Sequence, residues 1–360
     1  MPATIRDVAK AAGVSIATVS NYLNETKTIS PKTRSRIEQS ISGLEFVPNS
    51  ASRVMRGQRS PAIGYVVPDG LNPFFAEVAR GVEDAALRAG YVIVTCNTQG
   101  DPDRERRYLT ALAEMRVMGV LITPTVSATD QLEVLRRGGA SVVMLDHPSA
   151  DSQFPSVVVD DVAGGRMAME HLLELGHRDI LFIGGPGREG QVQDRLLGAR
   201  RALEAAGHDP ETLGWMSSRG TTAIARAEVG ERLLQRPTLP TALICANDLI
   251  ALAVQSNLAR NGVRTPDDIS IVGYDDIDHA QLAEVPLTTV RQPMYELGNR
   301  AARMLFEPAS DVPDSHLFTP ALVVRASTGV PVVRDPRARW PRASGARRAR
   351  PEGEPSCSRA

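Results

Sequence analysis

Cysteine is scarce in this chain. The three present in 360 residues, Cys96, Cys245 and Cys357, are far apart, and the first two lie in apolar, strand-like runs. Such spacing argues against a disulfide framework or a zinc site and suits free thiols in a reducing compartment. No run approaches the ~18 apolar residues of a membrane span, and no basic-then-apolar signal opens the chain, so a cytoplasmic protein with no membrane partner is expected. The histidines (His147, His171, His177, His208, His279 and His316) show no metal-ligand spacing. Gly184-Gly185-Pro186-Gly187 follows an apolar run but has neither the spacing of a dinucleotide loop nor the Lys-Ser/Thr of a P-loop. No G-x-S-x-G elbow occurs, and Asp275-Asp276 reads better as pocket and helix cap than as an acid/base pair. Neither cofactor nor catalysis is expected.

What is present starts at Thr4–Asn24, TIRDVAKAAGVSIATVSNYLN. Thr4 can cap a helix whose apolar residues Ile5, Val8, Ala9 and Ala12 recur on one face. Gly13 accepts the left-handed geometry that ends it. Ser15 caps a second helix, with Val19 and Leu23 turned back on the first and Val14 packed in the turn. Two helices joined so tightly form a helix-turn-helix, whose second helix fits a DNA major groove. By itself the stretch would also suit a helical hairpin inside a core. A third helix starts at Ser30 with Pro31 in its first position; Ile37 and Ile41 face inward, Gly43 stops it, and Leu44, Phe46 and Val47 close the small domain.

Charge separates the two readings. A net charge of −1 overall conceals nine Lys/Arg against four Asp/Glu in residues 1–60, a local net of +5. A basic head suits phosphate binding, because neutralised phosphates release counterions. Such charge supplies affinity and no sequence preference.

From Pro61 the pattern becomes β-α alternation. Apolar runs at Ala62–Val67, Tyr91–Cys96, Val120–Thr123 and Val142–Leu145 read as buried parallel strands. Helices are expected at Pro73–Ala89, Pro102–Met115 and Thr129–Arg137. A second series places strands at Ile180–Gly184, Ala242–Cys245 and Ile269–Tyr274, and helices at Gly164–Leu175, Arg195–Ala206, Ala223–Leu234 and Leu249–Asn261.

The motif T-I-x-D-V-A-x-x-A-G-V-S-x-x-T-V-S-x-x-L-N resembles the DNA-binding head of the lactose/galactose repressor (LacI) family of bacterial transcription regulators. The resemblance continues in V-P-N (Val47–Asn49), N-P-F-F-A-E (Asn72–Glu77), G-G-P (Gly184–Pro186), A-N-D (Ala246–Asp248), D-I-S-I-V-G-Y-D-D (Asp268–Asp276) and P-L-T-T-V-R-Q-P (Pro286–Pro293). It covers roughly residues 4 to 328. It implies an α/β chain: a three-helix helix-turn-helix head (1–48), a hinge helix and linker (49–60), and a periplasmic-binding-protein-like sensor of two parallel α/β subdomains (61–330). The N subdomain would hold 61–160 and 293–318, the C subdomain 161–290 and 322–330. Crossings between them are expected near Val159–Val162, Val290–Pro293 and Phe318–Leu322. The Arg/Pro-rich tail 331–360 reads as disordered and lacks the heptads of a tetramer-forming helix, so a homodimer is expected.

The resemblance also assigns sites. Ser15, Thr18, Ser20 and Asn24 would meet phosphates, while Ile16, Ala17 and Asn21 would read bases. Asn49, Ser52 and Met55 belong to the hinge, NSASRVMRG, too short to hold a helix alone in water. Met55 would wedge into the minor groove of a roughly palindromic operator. In the sensor, ligands bind beyond the carboxyl ends of the strands. Phe74, Asp146, Arg195, Asn247, Asp275 and Gln292 are the effector-pocket candidates, and Asp248 is expected to cap the following helix. A sugar-like effector is the default. Thr221 where relatives carry an aromatic stacker, Arg226 where glycine is common, and Asp146-His147-Pro148 in place of Asp-Arg all depart from the family. A periplasmic-type transport or chemosensory binding protein would share the cleft but has no use for residues 4–57. A sugar-modifying enzyme would need a base or nucleophile that is not evident.

Overall fold

The computed structural model describes residues 3–23, 27–47, 59–125, 129–146, 154–185, 190–220, 223–307 and 315–332. The chain divides into two units, Met1–Ser60 and Pro61–Ala360, each with its own core.

The head contains α1 (Ile5–Ala12), α2 (Ile16–Leu23) and α3 (Pro31–Gly43). Asp7 secures the start of α1: its carboxylate accepts from the Thr4 backbone N–H at 2.8 Å and from the Thr4 hydroxyl at 2.6 Å. Those bonds, the hydroxyl's first, hold the Asp7 carboxyl below its usual pKa. Gly13 ends α1 at φ +59. Ser15 accepts from the Thr18 N–H, and Ser30 from the Thr33 N–H. Val8, Ala9, Ala12, Val19, Ile37 and Phe46 are buried, with Ile5, Val14, Tyr22, Leu23 and Ile41 packed around them. So small a core leaves much of the docking to polar contacts. Arg36 of α3 makes one, donating to the carbonyls of Ala12 and Gly13 at the end of α1. A Cβ at Gly13 would lie 2.5 Å from that guanidinium.

The exit from α3 differs from expectation. Gly43 lies inside the last turn, and the left-handed residue is Glu45 at φ +48. Its N–H bonds to Ser42 O and that of Phe46 to Ile41 O, a reversal that drops Phe46 into the core. Leu44 stays 37% and Val47 80% exposed, so Phe46 alone of the three closes the head.

The second unit holds two six-stranded sheets. In the first are β1 (Ser60–Val67), β2 (Val92–Asn97), β3 (Val117–Ile122), β4 (Ser141–Leu145), β5 (Ser156–Val159) and β11 (Ser315–Phe318), in the order β11-β5-β4-β3-β1-β2. In the second are β6 (Ile180–Gly184), β7 (Gly214–Ser217), β8 (Ala242–Cys245), β9 (Ser270–Asp275), β10 (Thr288–Arg291) and β12 (Ala321–Val323), in the order β12-β10-β9-β8-β6-β7. The β1–β2, β3–β4, β4–β5, β5–β11, β6–β7, β6–β8, β8–β9 and β9–β10 ladders are parallel, and the β10–β12 ladder is antiparallel. Strand β2 is no buried strand: it is an edge, paired with β1 alone, and Val92 is 61% exposed.

The helices are α4 (Pro73–Arg88), α5 (Pro102–Glu114), α6 (Thr129–Arg137), α7 (Asp161–Glu174), α8 (Gly190–Ala205), α9 (Ala223–Leu234), α10 (Asp248–Arg260), α11 (Asp278–Leu282) and α12 (Met294–Phe306). The chain passes between sheets three times: from β5 into α7, from β10 through Gln292 into α12, and from β11 to β12. Two helix pairs pack with reciprocal glycines. In α4/α12, a Cβ at Gly81 would meet Tyr295 O at 2.1 Å and one at Gly298 would meet Val78 O at 2.0 Å. In α7/α8, Gly165 faces Arg195 O and Gly198 faces Val162 O, both at 1.9 Å. Backbones this close exclude any side chain.

Candidate functional sites

In the head, the second helix of the motif presents Ser15, Ile16 and Ala17 exposed, Ile16 at 45%, and Thr18, Ser20 and Asn21 half-buried. The Ser15 and Thr18 hydroxyls pair at 2.8 Å, so the residues suited to phosphate also cap their own helix. Arg36 is committed to the α1 carbonyls, which sequence charge counting cannot show. Asn24, Asn49, Ser52 and Met55 lie outside the described residues.

The sensor places a set of polar side chains at the carboxyl ends of its strands. Asp146 follows β4 at φ +52 and Asp275 ends β9 at φ +116. Both are buried, as are Arg195 and Gln292. Arg195, from α8, donates Nε to Asp161 Oδ1 at 2.7 Å and Nη1 to Ala246 O at 2.6 Å, with its guanidinium 3.7 Å from the centroid of the Tyr274 ring. Gln292 donates Nε2 to Asp275 Oδ1 at 2.7 Å. The helix contact at Gly165 and Gly198 is what allows Arg195 of α8 to reach Asp161 in the first turn of α7.

Charge in this cluster is unbalanced, with Asp146, Asp161 and Asp275 around one guanidinium. Burial first, then the neighbouring Asp161 and Asp275 charges, raise the Asp146 carboxyl to about 7, against the pull of Arg195. Asp275 is also raised well above the ordinary range, chiefly by burial. Arg195 is held protonated: burial opposes its charge, and Asp161, Tyr274, Asp275 and Asp146 outweigh it. Among the described residues, Asp146 Oδ1 and Gln292 Oε1 are buried without a hydrogen-bond partner. Such acceptors are costly when left empty, and a ligand hydroxyl would satisfy either.

Three candidate assignments shift. Asn247 is the helix cap, its Oδ1 accepting from Ile250 N–H at 2.9 Å, which leaves its amide nitrogen for other contacts. Asp248, expected as the cap, is fully buried instead; it accepts from Ile277 N–H at 3.0 Å and from the Thr289 hydroxyl at 2.6 Å, joining α10 to the strands beside it. Asp276 is no cap either, being held by Arg291 and Arg325, each at 2.6 Å. Phe74 is 4% exposed and packs edge-on against Phe75, centroids 5.0 Å apart, within the core of the first sheet.

Sequence reading missed Asp161 and Tyr274 as partners of Arg195. It also missed two bridges between the sheets. Gln191 donates to the backbone carbonyl of Asp146, and Arg226 Nη2 meets Asp69 Oδ2 at 3.0 Å. The departure from glycine at position 226 was the available signal for the second. No group of side chains suited to a metal ion occurs among the described residues, and none of their helices is long and apolar enough to cross a membrane.

A helix-turn-helix head followed by a two-sheet, three-crossing α/β body defines the class: a DNA-binding unit joined to a ligand-binding sensor. The comparisons agree. Residues 4–49 match the model for bacterial regulatory proteins of the lacI family, and residues 169–328 that for the periplasmic binding protein-like domain. The chain is 34% identical to the HTH-type transcriptional repressor PurR of Photobacterium profundum over 90% of this chain and 98% of the relative. It is 35% identical to the transcriptional regulator DegA of Bacillus subtilis over 91% of this chain and 98% of the relative. Among solved structures it resembles a lac repressor dimer bound to operator and the anti-inducer ONPF (TM-score 0.79, 26% identity, covering 91% of this chain and all of that one). It also resembles the regulator CelR in complex with cellobiose (TM-score 0.66, 31% identity, 90% and 99% covered). A third is a LacI-family regulator from Enterococcus faecium with bound ribose (TM-score 0.69, 28% identity, 75% and 99% covered). The chain belongs to the lacI family of bacterial regulatory proteins: it is a DNA-binding transcriptional regulator.

Proposed function

We propose that the protein is a cytoplasmic, non-catalytic repressor whose grip on a roughly palindromic operator is set by a small polyhydroxyl effector, a sugar or sugar derivative, bound between the two sheets. The observation that carries this reading is that Asp146 Oδ1 and Gln292 Oε1, beside the Arg195 cluster, are buried acceptors with no hydrogen-bond partner among the described residues. A vicinal diol offers two donors to such acceptors, and its own oxygens can accept from Arg195 or the Asn247 amide. Asp146, Arg195, Asp275 and Gln292 form the floor of the pocket in this reading, with Asn247 and Phe74 at its sides. A relative's structure holding ribose and another holding cellobiose make these two sugars the first probes.

Two heads of a homodimer would each lay the helix Ile16–Leu23 in a major groove. Ser15, Thr18, Ser20 and Asn24 would meet phosphates, Ile16, Ala17 and Asn21 would meet base edges, and Asn49, Ser52 and Met55 would act in the minor groove. Effector and operator sites are then thermodynamically linked through the spacing of the two hinge segments, and each ligand alters the other's affinity by the same factor. The test is a thermal-shift screen of ribose, cellobiose, other sugars, polyols and nucleosides, followed by operator selection from random duplexes with and without each hit. A hit that stabilises the chain and changes operator affinity supports the reading; a full screen of sugars and polyols without one opposes it.

A further inference from the structure

Every group in the pocket floor is buried, yet the two sheets also meet at the rim. Asp69 follows β1 and Arg226 lies in the first turns of α9, and their charged ends are 3.0 Å apart. Their side chains are 19% and 13% exposed, whereas Leu71 and Ile224, each two residues away, are 85% and 75% exposed. The pair therefore stands where the cleft opens to solvent. Asp69 is oriented by its own backbone, because Oδ1 accepts from the Leu71 N–H at 3.1 Å and leaves Oδ2 for the guanidinium. Arg226 reaches it from a helix of the other sheet. Below the rim, the Gln191 side chain bonded to the Asp146 carbonyl is a second, uncharged bridge.

We propose that Asp69 and Arg226 form an ionic latch across the cleft that favours the closed sensor and thereby sets its effector affinity. The proposal rests on reading the cleft as the effector site. A pair mostly withdrawn from water is screened less than a surface pair and is worth correspondingly more. It joins two bodies that the chain links only at three crossings, so its energy goes into the closed-to-open ratio. Effector must wait for the latch to open before it enters, and gains from its re-formation once bound. Removal of either partner should speed entry and weaken retention.

The test uses the full-length protein without effector. Nitroxides are placed at Arg107→Cys on α5 and Glu231→Cys on α9, both exposed positions, with Cys357→Ser to remove the third thiol. Pulsed dipolar spectroscopy then gives the distance distribution between the sheets. Asp69→Asn and Arg226→Gln are each expected to shift the closed-to-open ratio by about fivefold or more, with a smaller shift for the parent in 1 M salt. The double variant should do no more than either single one, and Arg226→Lys should restore much of the closed population. Distributions for Asp69→Asn and Arg226→Gln that superimpose on the parent overturn the latch. Operator binding, measured on the same samples, separates the readings: a chain that binds its operator but does not open in these variants keeps the regulator assignment and loses the latch.

Discussion

The two halves of the sensor use one packing device for unequal purposes. In the first, α4 and α12 touch through Gly81 and Gly298; nearby, the Tyr295 hydroxyl donates to Asp84 at 2.9 Å and Arg80 stacks 4.7 Å over the Tyr295 ring. None of Asp146, Asp161, Arg195 or Asp275 lies in that seam, although Arg80 and Tyr295 line a surface cavity together with Gln292. In the second, α7 and α8 touch through Gly165 and Gly198, and the same closeness joins Arg195 to Asp161 below Tyr274. A repeated architectural solution therefore stands beside Gln292 on one side and fixes the buried Arg195–Asp161 pair on the other.

Breaking the seams separates these roles. Gly165→Ala puts a Cβ 1.9 Å from a backbone carbonyl and should cost about 3 kcal/mol or more in thermal stability, as should Gly81→Ala against Tyr295 O. At a temperature where both remain folded, only Gly165→Ala should also lose effector response, read as the change in operator affinity on adding the effector found by screening. Equal loss in the two variants would mean that the seams are not functionally distinct.

The next effect is electrostatic and specific to the floor. Asp146 keeps its proton in the fold up to about pH 7, whereas an unfolded aspartate loses it near 3.8. The folded state thus binds more protons in that window, and the contribution of this group to stability falls as pH rises from about 4 to about 7. Asp146→Asn mimics the protonated form. It should flatten that slope in melting experiments and stabilise the effector-free protein on the order of 2 kcal/mol at pH 8. A variant whose melting temperature follows the parental pH curve would contradict the raised carboxyl. The smallest effect belongs to the other seam: Tyr295→Phe removes the bond to Asp84 and should cost about 1 kcal/mol, with effector response unchanged.

Much of the fold was legible because its signals are local. The helices Thr129–Arg137 and Ala223–Leu234 and the strands Ile180–Gly184 and Ala242–Cys245 stand at the residues read from hydrophobic periodicity. Short strands such as β5 and β7 were missed, since four residues carry too little pattern to separate from loop. Tyr91–Cys96 looked buried because apolar content does not reveal a sheet edge. Helix ends misled where two candidates adjoin: Asn247 and Asp248 both have capping side chains, and only the geometry of β9 and β10 assigns the second to burial. At the α3 exit, Gly43 drew the turn away from Glu45, although a non-glycine residue takes the left-handed position there. The pocket candidates Arg195, Asp275 and Gln292 came from motif resemblance, and the fold draws them together by long-range contacts such as Asp161–Arg195, 34 residues apart. Arg226–Asp69, 157 residues apart, was beyond the reach of any local pattern.

The central claim is that a buried polar floor in one unit governs the DNA affinity of the other. Titration of Asp275→Ala against the selected operator, with and without the effector identified by screening, tests it most directly. The account predicts operator affinity within about twofold of the parent in the absence of effector, and no change when effector is added. A variant that answers effector as the parent does would contradict it.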